Sequence, residues 1–180
     1  TDSLGNILWQ NTIGGTNDDR LFSGQQTSDG GYILGLTSES SISGDKSEIC
    51  YGSSDFWIVK TDAMGNIQWQ NTIGGNSMEK NINIKQNAEG GYLLAGISWS
   101  GISGDKTEMN TYFDYWFLEL NFSGEILWQN TISGSYYDEL KCIQITLDGE
   151  YIGGGNSNSI SSLDKIENKK FDVKKYTLVD

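Results

Sequence analysis

The sequence predicts an all-β fold built from repeated four-stranded antiparallel units, and three observations carry that expectation. One segment returns three times at a spacing of about 60 residues, in the range typical of repeat arrays. Within each return, short runs alternate apolar and polar side chains with period two, as strands require. Between the runs lie clusters of Gly, Asn and Asp, and helical periodicity is nearly absent.

The recurring segment runs Gly5-Asn6-Ile7-Leu8-Trp9-Gln10-Asn11-Thr12-Ile13-Gly14-Gly15. It returns from Gly65 to Gly75 and again, with Ser133 replacing one glycine, from Gly124 to Gly134. Two further landmarks keep the same phase. One is Asp29-Gly30-Gly31-Tyr32, Glu89-Gly90-Gly91-Tyr92 and Asp148-Gly149-Glu150-Tyr151; the other is Ser43-Gly44-Asp45-Lys46, Ser103-Gly104-Asp105-Lys106 and Ser162-Leu163-Asp164-Lys165.

In the second unit the expected strands are Ile67 to Ile73, Asn81 to Gln86, Tyr92 to Ile97 and Tyr115 to Leu120. Asp62 to Asn66 and Ala88 to Gly91 supply the turns between them, with Gly and Asn where positive φ is needed. Four short strands per unit at this period fit the blade of a β-propeller, with blades at 1–61, 62–120 and 121–180. Thr1 to Asn6 matches Thr61 to Asn66, so a strand like Phe56 to Lys60 is missing in front, and its counterpart stands at Asp172 to Tyr176. Three blades fall short of the roughly four to eight that close a ring, so the expectation is a piece of a larger ring, with completion by another chain or an open array with covered edges as the alternatives.

Composition narrows function. With 36% hydrophobic and 12% aromatic residues the chain can fill a core. Twenty-four acidic residues against 12 basic ones leave a net charge of −12, which opposes binding to nucleic acid or an anionic bilayer. Histidine is absent, which removes His-based triads, His general bases and most transition-metal sites. No run of 18 apolar residues suggests direct membrane insertion. The two cysteines, Cys50 and Cys142, occupy non-equivalent positions and do not suggest a disulfide framework.

The ordered set of motifs 29–34, 42–48, 55–62 and 65–75 closely resembles propeller-type repeats of large secreted proteins of Bacteroidota, many of them type IX secretion substrates. The resemblance covers nearly the whole chain. It implies export by that system to the outer cell surface or the medium, and a role in adhesion, gliding motility or a larger secretion or surface complex. The third unit departs from the pattern at Leu163, at Glu150, and at Lys174, where a tryptophan is expected.

A residue present in every unit is more simply architectural than catalytic, which assigns Trp9, Trp69, Trp128, Trp57 and Trp116 to packing. The loop from Ser43 to Glu48 and its copies offer one Asp and one Glu around a Lys, too few oxygens for calcium, and read as solvated connecting turns. Asp18-Asp19 and Asp138-Glu139 point to opposite faces of a strand and cannot serve as an acid–base pair across a cleft. No catalytic, cofactor or metal residue is predicted, and the chain reads as a non-enzymatic interaction module. Its candidate contacts are the unrepeated aromatics Trp99, Tyr112, Phe113, Tyr136 and Tyr137, which either anchor a protein partner, stack on a surface glycan, or cover their own loop. The alternative function is a carbohydrate-binding module of a polysaccharide-handling assembly.

Overall fold

The structure is a computed structural model that describes residues 1–158 and the backbone of 171–176. Eleven strands follow in order: β1 (Asp19–Gln26), β2 (Tyr32–Ser38), β3 (Asp55–Thr61), β4 (Ile67–Ile73), β5 (Glu79–Gln86), β6 (Tyr92–Ser98), β7 (Asp114–Leu120), β8 (Ile126–Ile132), β9 (Asp138–Ile145), β10 (Tyr151–Ser157) and β11 (Phe171–Tyr176). They form three antiparallel sheets, β1-β2-β3-β4, β5-β6-β7-β8 and β9-β10-β11, and among the described residues there is no helix. The all-β expectation holds, and the strands fall within two residues of the runs read from alternation.

The sheets are offset from the sequence units 1–61, 62–120 and 121–180. Ile67–Ile73 pairs with β3, Phe56 facing Ile73 and Lys60 facing Trp69, so it closes the sheet before it rather than opening the next. The turn decides this. Asp62 accepts the amides of Met64 (2.8 Å) and Asn66 (2.9 Å), and Asn66 Nδ2 donates back to it at 2.8 Å, which folds the chain into a hairpin. For the same reason Ile7 to Ile13, though it carries the strand pattern, is not a strand: no described strand stands beside it. The register also moves the tryptophan position of the third unit. Gly155 pairs with Asp172 as Leu36 pairs with Trp57 and Gly96 with Trp116, so Asp172, not Lys174, occupies it.

The middle sheet is covered on both faces, which explains why β6 and β7 are buried at every residue. Tyr92, Leu94, Trp116, Leu118 and Leu120 meet Ile33, Phe56 and Ile58 of the first sheet, where Phe56 stacks on Trp116 at 5.8 Å. The alternate residues Leu93, Ala95, Tyr115 and Phe117 meet Leu140, Ile143 and Tyr151 of the third. At the opening edge of each sheet, β1 lies against β5 and β5 against β9, whereas β4 and β8 do not touch among the described residues. Ser23 ties the first pair by exchanging bonds with the backbone of Ile84 at 3.2 and 3.3 Å.

The last strand of the first two sheets is locked by the repeated tryptophan. Trp69 sits edge-on to Tyr92 at 5.7 Å and lies over Gly124, where a Cβ would come within 2.8 Å of the indole and φ is +88°. Glycine is therefore required twice over at that turn. Trp128 meets Tyr151 at the equivalent place, 6.0 Å away but stacked, with planes 26° apart. The architectural reading of these residues agrees with their positions.

The first two Asp-Lys-Glu loops are not solvated turns; the third, at Asp164 to Glu167, lies outside the described residues. Lys46 and Lys106 are each 1% exposed and lie over the rings of Trp57 and Trp116, 5.7 and 4.8 Å from the centroids. Lys106 donates to Thr131 Oγ1 at 2.5 Å, and Lys46 to Thr72 Oγ1 and to the Glu48 carbonyl. Glu48 and Glu108 accept the backbone amides of Thr72 and Thr131. Gln129 Oε1 accepts from both Trp116 Nε1 and the Thr107 amide at 3.1 Å, while its Nε2 donates to the Asp105 carbonyl at 2.8 Å. The loop thus clips the third strand to the fourth, and burial holds the Lys106 ammonium down to about 8.

Candidate functional site

The two ends of the sheets differ. One carries only the short turns; the other carries the long connections 39–54 and 99–113 with the crossings from β4 to β5 and from β8 to β9. At this second end each sheet meets the next through backbone bonds. The Glu79 amide donates to the Ser54 carbonyl at 2.8 Å, and the Asp138 amide to the Phe113 carbonyl at 2.9 Å.

All five sequence-predicted aromatics gather at the second of these crossings. Trp99 follows β6, Phe113 precedes β7 and Tyr137 precedes β9. Their rings form a continuous ladder, Trp99 to Phe113 at 4.6 Å and Phe113 to Tyr137 at 4.2 Å. Beside it Tyr112 stacks on Tyr136 at 6.0 Å with planes 17° apart. At the first crossing the matching positions are Glu39, Ser54 and Met78, with Ser53 and Ser77 in place of the tyrosine pair. The surface therefore occurs at one of the two described crossings and not at the other. It does more than cover its own loop, since it joins residues of two sheets, and Trp99, Tyr112, Tyr136 and Tyr137 stay 47 to 55% exposed.

A polar frame sets these rings. Asp114, fully buried, accepts the Thr111 amide and Ser133 Oγ at 2.9 Å and the Gly134 amide at 3.3 Å. Asn110 Nδ2 reaches the carbonyls of Ser98 (3.0 Å) and Tyr112 (2.7 Å), and Thr111 Oγ1 donates to Gly134 O at 2.7 Å. Cys50 holds the place of Asn110 in the first loop, its sulfur 3.5 Å from the carbonyls of Ser38 and Gly52. Burial pushes that thiol up to about 12, so it is a packing group rather than a nucleophile. Cys142 is exposed, and both cysteines are free.

Beneath the long-loop end lies a carboxyl that sequence reasoning passed over. Glu79 is fully buried and accepts Ser98 Oγ at 2.7 Å and the Gly75 amide at 3.0 Å, bracing the β4–β5 crossing. Burial pushes it up to about 7. Its place in a strand of mixed polarity, Glu-Lys-Asn-Ile-Asn-Ile, gave no sign of burial. Of the adjacent acidic pairs, Asp19 and Asp138 turn inward to the same bracing position, while Asp18 pairs with Arg20 and Glu139 with Lys141 at 2.5 Å. No group of three potential metal-ligating side chains converges among the described residues.

What this geometry offers chemically is a pre-ordered aromatic surface: rings already in contact lose little side-chain freedom when a second molecule covers them. No protein-family model matches the chain, and no curated protein shows significant similarity to it.

Proposed function

We propose that the chain is a non-enzymatic interaction module whose three sheets are consecutive blades of a β-propeller-like arrangement, carried on a secreted or outer-surface protein. The propeller reading is supported by the packing of the opening strands: β1, β5 and β9 lie side by side while the closing strands β4 and β8 stand apart. The secreted, type IX-exported setting in Bacteroidota, with a part in adhesion, gliding or a surface complex, rests on the resemblance of the repeat motifs.

The observation that carries the binding role is the five-ring surface at the second crossing, present at one of the two described crossings of a repeat that otherwise copies itself. Exposed Trp and Tyr in a pre-ordered cluster are the side chains that dominate binding energy at protein contacts. The test is binding of the chain to outer-surface proteins of its source cells, compared with Trp99→Ala and with Tyr112→Ala/Tyr136→Ala. A loss on the order of tenfold or more is expected for each. Equal binding by both variants refutes the assignment.

A second reading, carbohydrate binding, is favoured by the groove beside Tyr112 lined by Asn110, Thr111, Asn130 and Ser133, whose side-chain oxygens can accept from sugar hydroxyls. Glycan-array binding that disappears in Tyr112→Ala/Tyr136→Ala selects it over a protein partner.

A further inference from the structure

The short-turn end carries an unrepeated group of its own, where the second sheet packs on the first. The junction after it sets the pattern. There Glu119 of β7, buried, faces Trp128 across the sheet. Its carboxylate accepts hydrogen bonds from Trp128 Nε1, from the Tyr151 hydroxyl at 3.0 Å and from Asn87 Nδ2 at 2.9 Å. One buried acceptor thus serves both members of the Trp–Tyr pair that closes this junction.

At the preceding junction Lys60 stands in that place, facing Trp69. It is 4% exposed, and an ammonium has donors only. All three are engaged within the first sheet, by Asp29 Oδ2 at 2.8 Å and by the Thr61 carbonyl and Gln68 Oε1 at 2.9 Å. Trp69 Nε1–H and the Tyr92 hydroxyl therefore lack the acceptor that their counterparts have, and among the described residues neither has another hydrogen-bond partner. Yet Tyr92 is 2% exposed, and a hydroxyl on so buried a residue is ordinarily paired. The rings differ accordingly: Trp128 stacks on Tyr151 with planes 26° apart, whereas Trp69 meets Tyr92 at 66°.

Trp69 and Tyr92 line a groove together with Asp29, Lys60, Gln68 and Phe122. Its polar members do not repeat: at the next junction Glu119 replaces Lys60 and Leu127 replaces Gln68. Gln68 is exposed, and its Nε2 donates to nothing among the described residues. Phe122, at the tip of the turn after β7, is 74% exposed. The Lys60 ammonium holds Asp29 well below the usual carboxylate range, while burial, with the Asp29 charge, raises Tyr92 above the usual phenol value. At neutral pH the groove therefore offers three donor groups, one half-exposed carboxylate and an aromatic face, around an ion pair whose charges cancel. We propose that it is a saccharide site seating one neutral pyranose ring, whose oxygens accept from Tyr92, Trp69 and Gln68, whose hydroxyls donate to Asp29, and whose C–H face lies on Phe122. An anionic ligand would answer the donors as Glu119 does, but it would meet the ionised Asp29 in the same groove. An apolar ligand would leave Tyr92 and Trp69 unpaired and costly to cover. A sugar carries acceptors, donors and an apolar face on one ring, which is what these six side chains present. The groove lies at the opposite end of the sheets from the Tyr112 surface, and the assignment does not depend on that surface binding anything.

The test follows the tryptophan indole N–H signals of the isotope-labelled 180-residue chain by NMR, the Trp69 signal being assigned with Trp69→Phe. The probes are glucose, galactose, mannose and N-acetylglucosamine, each as the methyl glycoside and as a linear tetramer, with glucuronate as the charged control. At least one neutral sugar is expected to shift the Trp69 signal saturably and to leave the Trp128 signal in place. Tyr92→Phe deletes only a hydroxyl with no partner among the described residues, so it should leave the melting temperature unchanged and weaken binding about three- to tenfold. Gln68→Leu, the side chain of the next junction, should weaken it similarly, and glucuronate should bind no tighter than glucose. Tyr112→Ala/Tyr136→Ala should leave this binding intact, which separates it from a sugar held at the other end. The proposal is overturned if no neutral sugar moves the Trp69 signal up to tens of millimolar, or if binding is indifferent to both Tyr92→Phe and Gln68→Leu. Binding lost only in Tyr112→Ala/Tyr136→Ala, or stronger for glucuronate than for glucose, overturns it as well.

Discussion

Replacing Glu79 by Gln should flatten a specific part of the pH dependence of stability. Glu79 is fully buried between Ser98 Oγ and the Gly75 amide, and titrates near 7 in the fold against 4.5 in the open chain. A carboxyl raised in this way stabilises the fold most below the open-chain value, and that contribution is lost as pH climbs through the folded value. At about 1.4 kcal/mol per pH unit, the gap amounts to a penalty of up to about 3 kcal/mol above pH 7, absent below pH 4. Asp55 adds like charge to the site, and the Lys106 ammonium, itself held down by burial, lies close enough to Glu79 to be favoured by it. Glutamine keeps an oxygen for Gly75 and an amide for Ser98, and carries no charge. The assay is thermal unfolding of both proteins from pH 4.5 to 8.5. The variant should exceed the parent by only about 2 to 3 °C near pH 5 and by roughly 6 to 12 °C at pH 8, at 2 to 4 °C per kcal/mol for a chain of this size. A difference that is flat with pH, or that grows toward acid, refutes the reasoning, because the latter would mean that the fold prefers the carboxylate.

Further outcomes follow from the turns and the repeated locks. Gly124→Ala forces a Cβ to 2.8 Å from the Trp69 indole at φ +88°, and chemical denaturation should show a loss of about 2 to 4 kcal/mol, combining left-handed strain with displaced packing. Gly149→Ala, with φ +84° and open space around it, should cost only the strain, about 1 to 2 kcal/mol. Gln129→Ala strips the acceptor from the buried Trp116 indole and from the Thr107 amide, and should cost about 1 to 3 kcal/mol in the same measurement; Gln129→Glu, which keeps an acceptor, should recover part of it.

Ile67 to Ile73 shows where sequence reasoning reached and where it stopped. Its strand character is local, written in alternation and in the turn before it, and could be read directly. Its sheet is a matter of pairing. The five-residue turn Asp62 to Asn66 is of hairpin length, so the partnership with β3 was legible in principle. The repeat phase, which begins with the same residues in every copy, masked it. Ile7 to Ile13 makes the complementary point: an identical sequence is a strand at β8 and not at the front of the first sheet, because a strand is completed by its neighbour's hydrogen bonds.

The aromatic site was half legible. Failure to repeat singled out Trp99, Tyr112, Phe113, Tyr136 and Tyr137, but nothing in their order says that residues 38 positions apart share one ladder. The lysines of the Asp-Lys-Glu loops misled for a related reason. A charged side chain in a Gly-rich loop ordinarily faces water, and only the packing of that loop onto Trp57 and Trp116 turns the ammonium groups inward, where a ring face and a threonine hydroxyl offset their desolvation.

The sequence by itself therefore determined the all-β class, the four-strand unit, its turns and its unrepeated residues, because alternation and turn chemistry act within a few residues. Only the tertiary structure decided which strands share a sheet, which charged groups are buried and which aromatics meet. Those outcomes depend on surfaces brought together across whole units, as the middle sheet is buried only because the first and third cover its two faces.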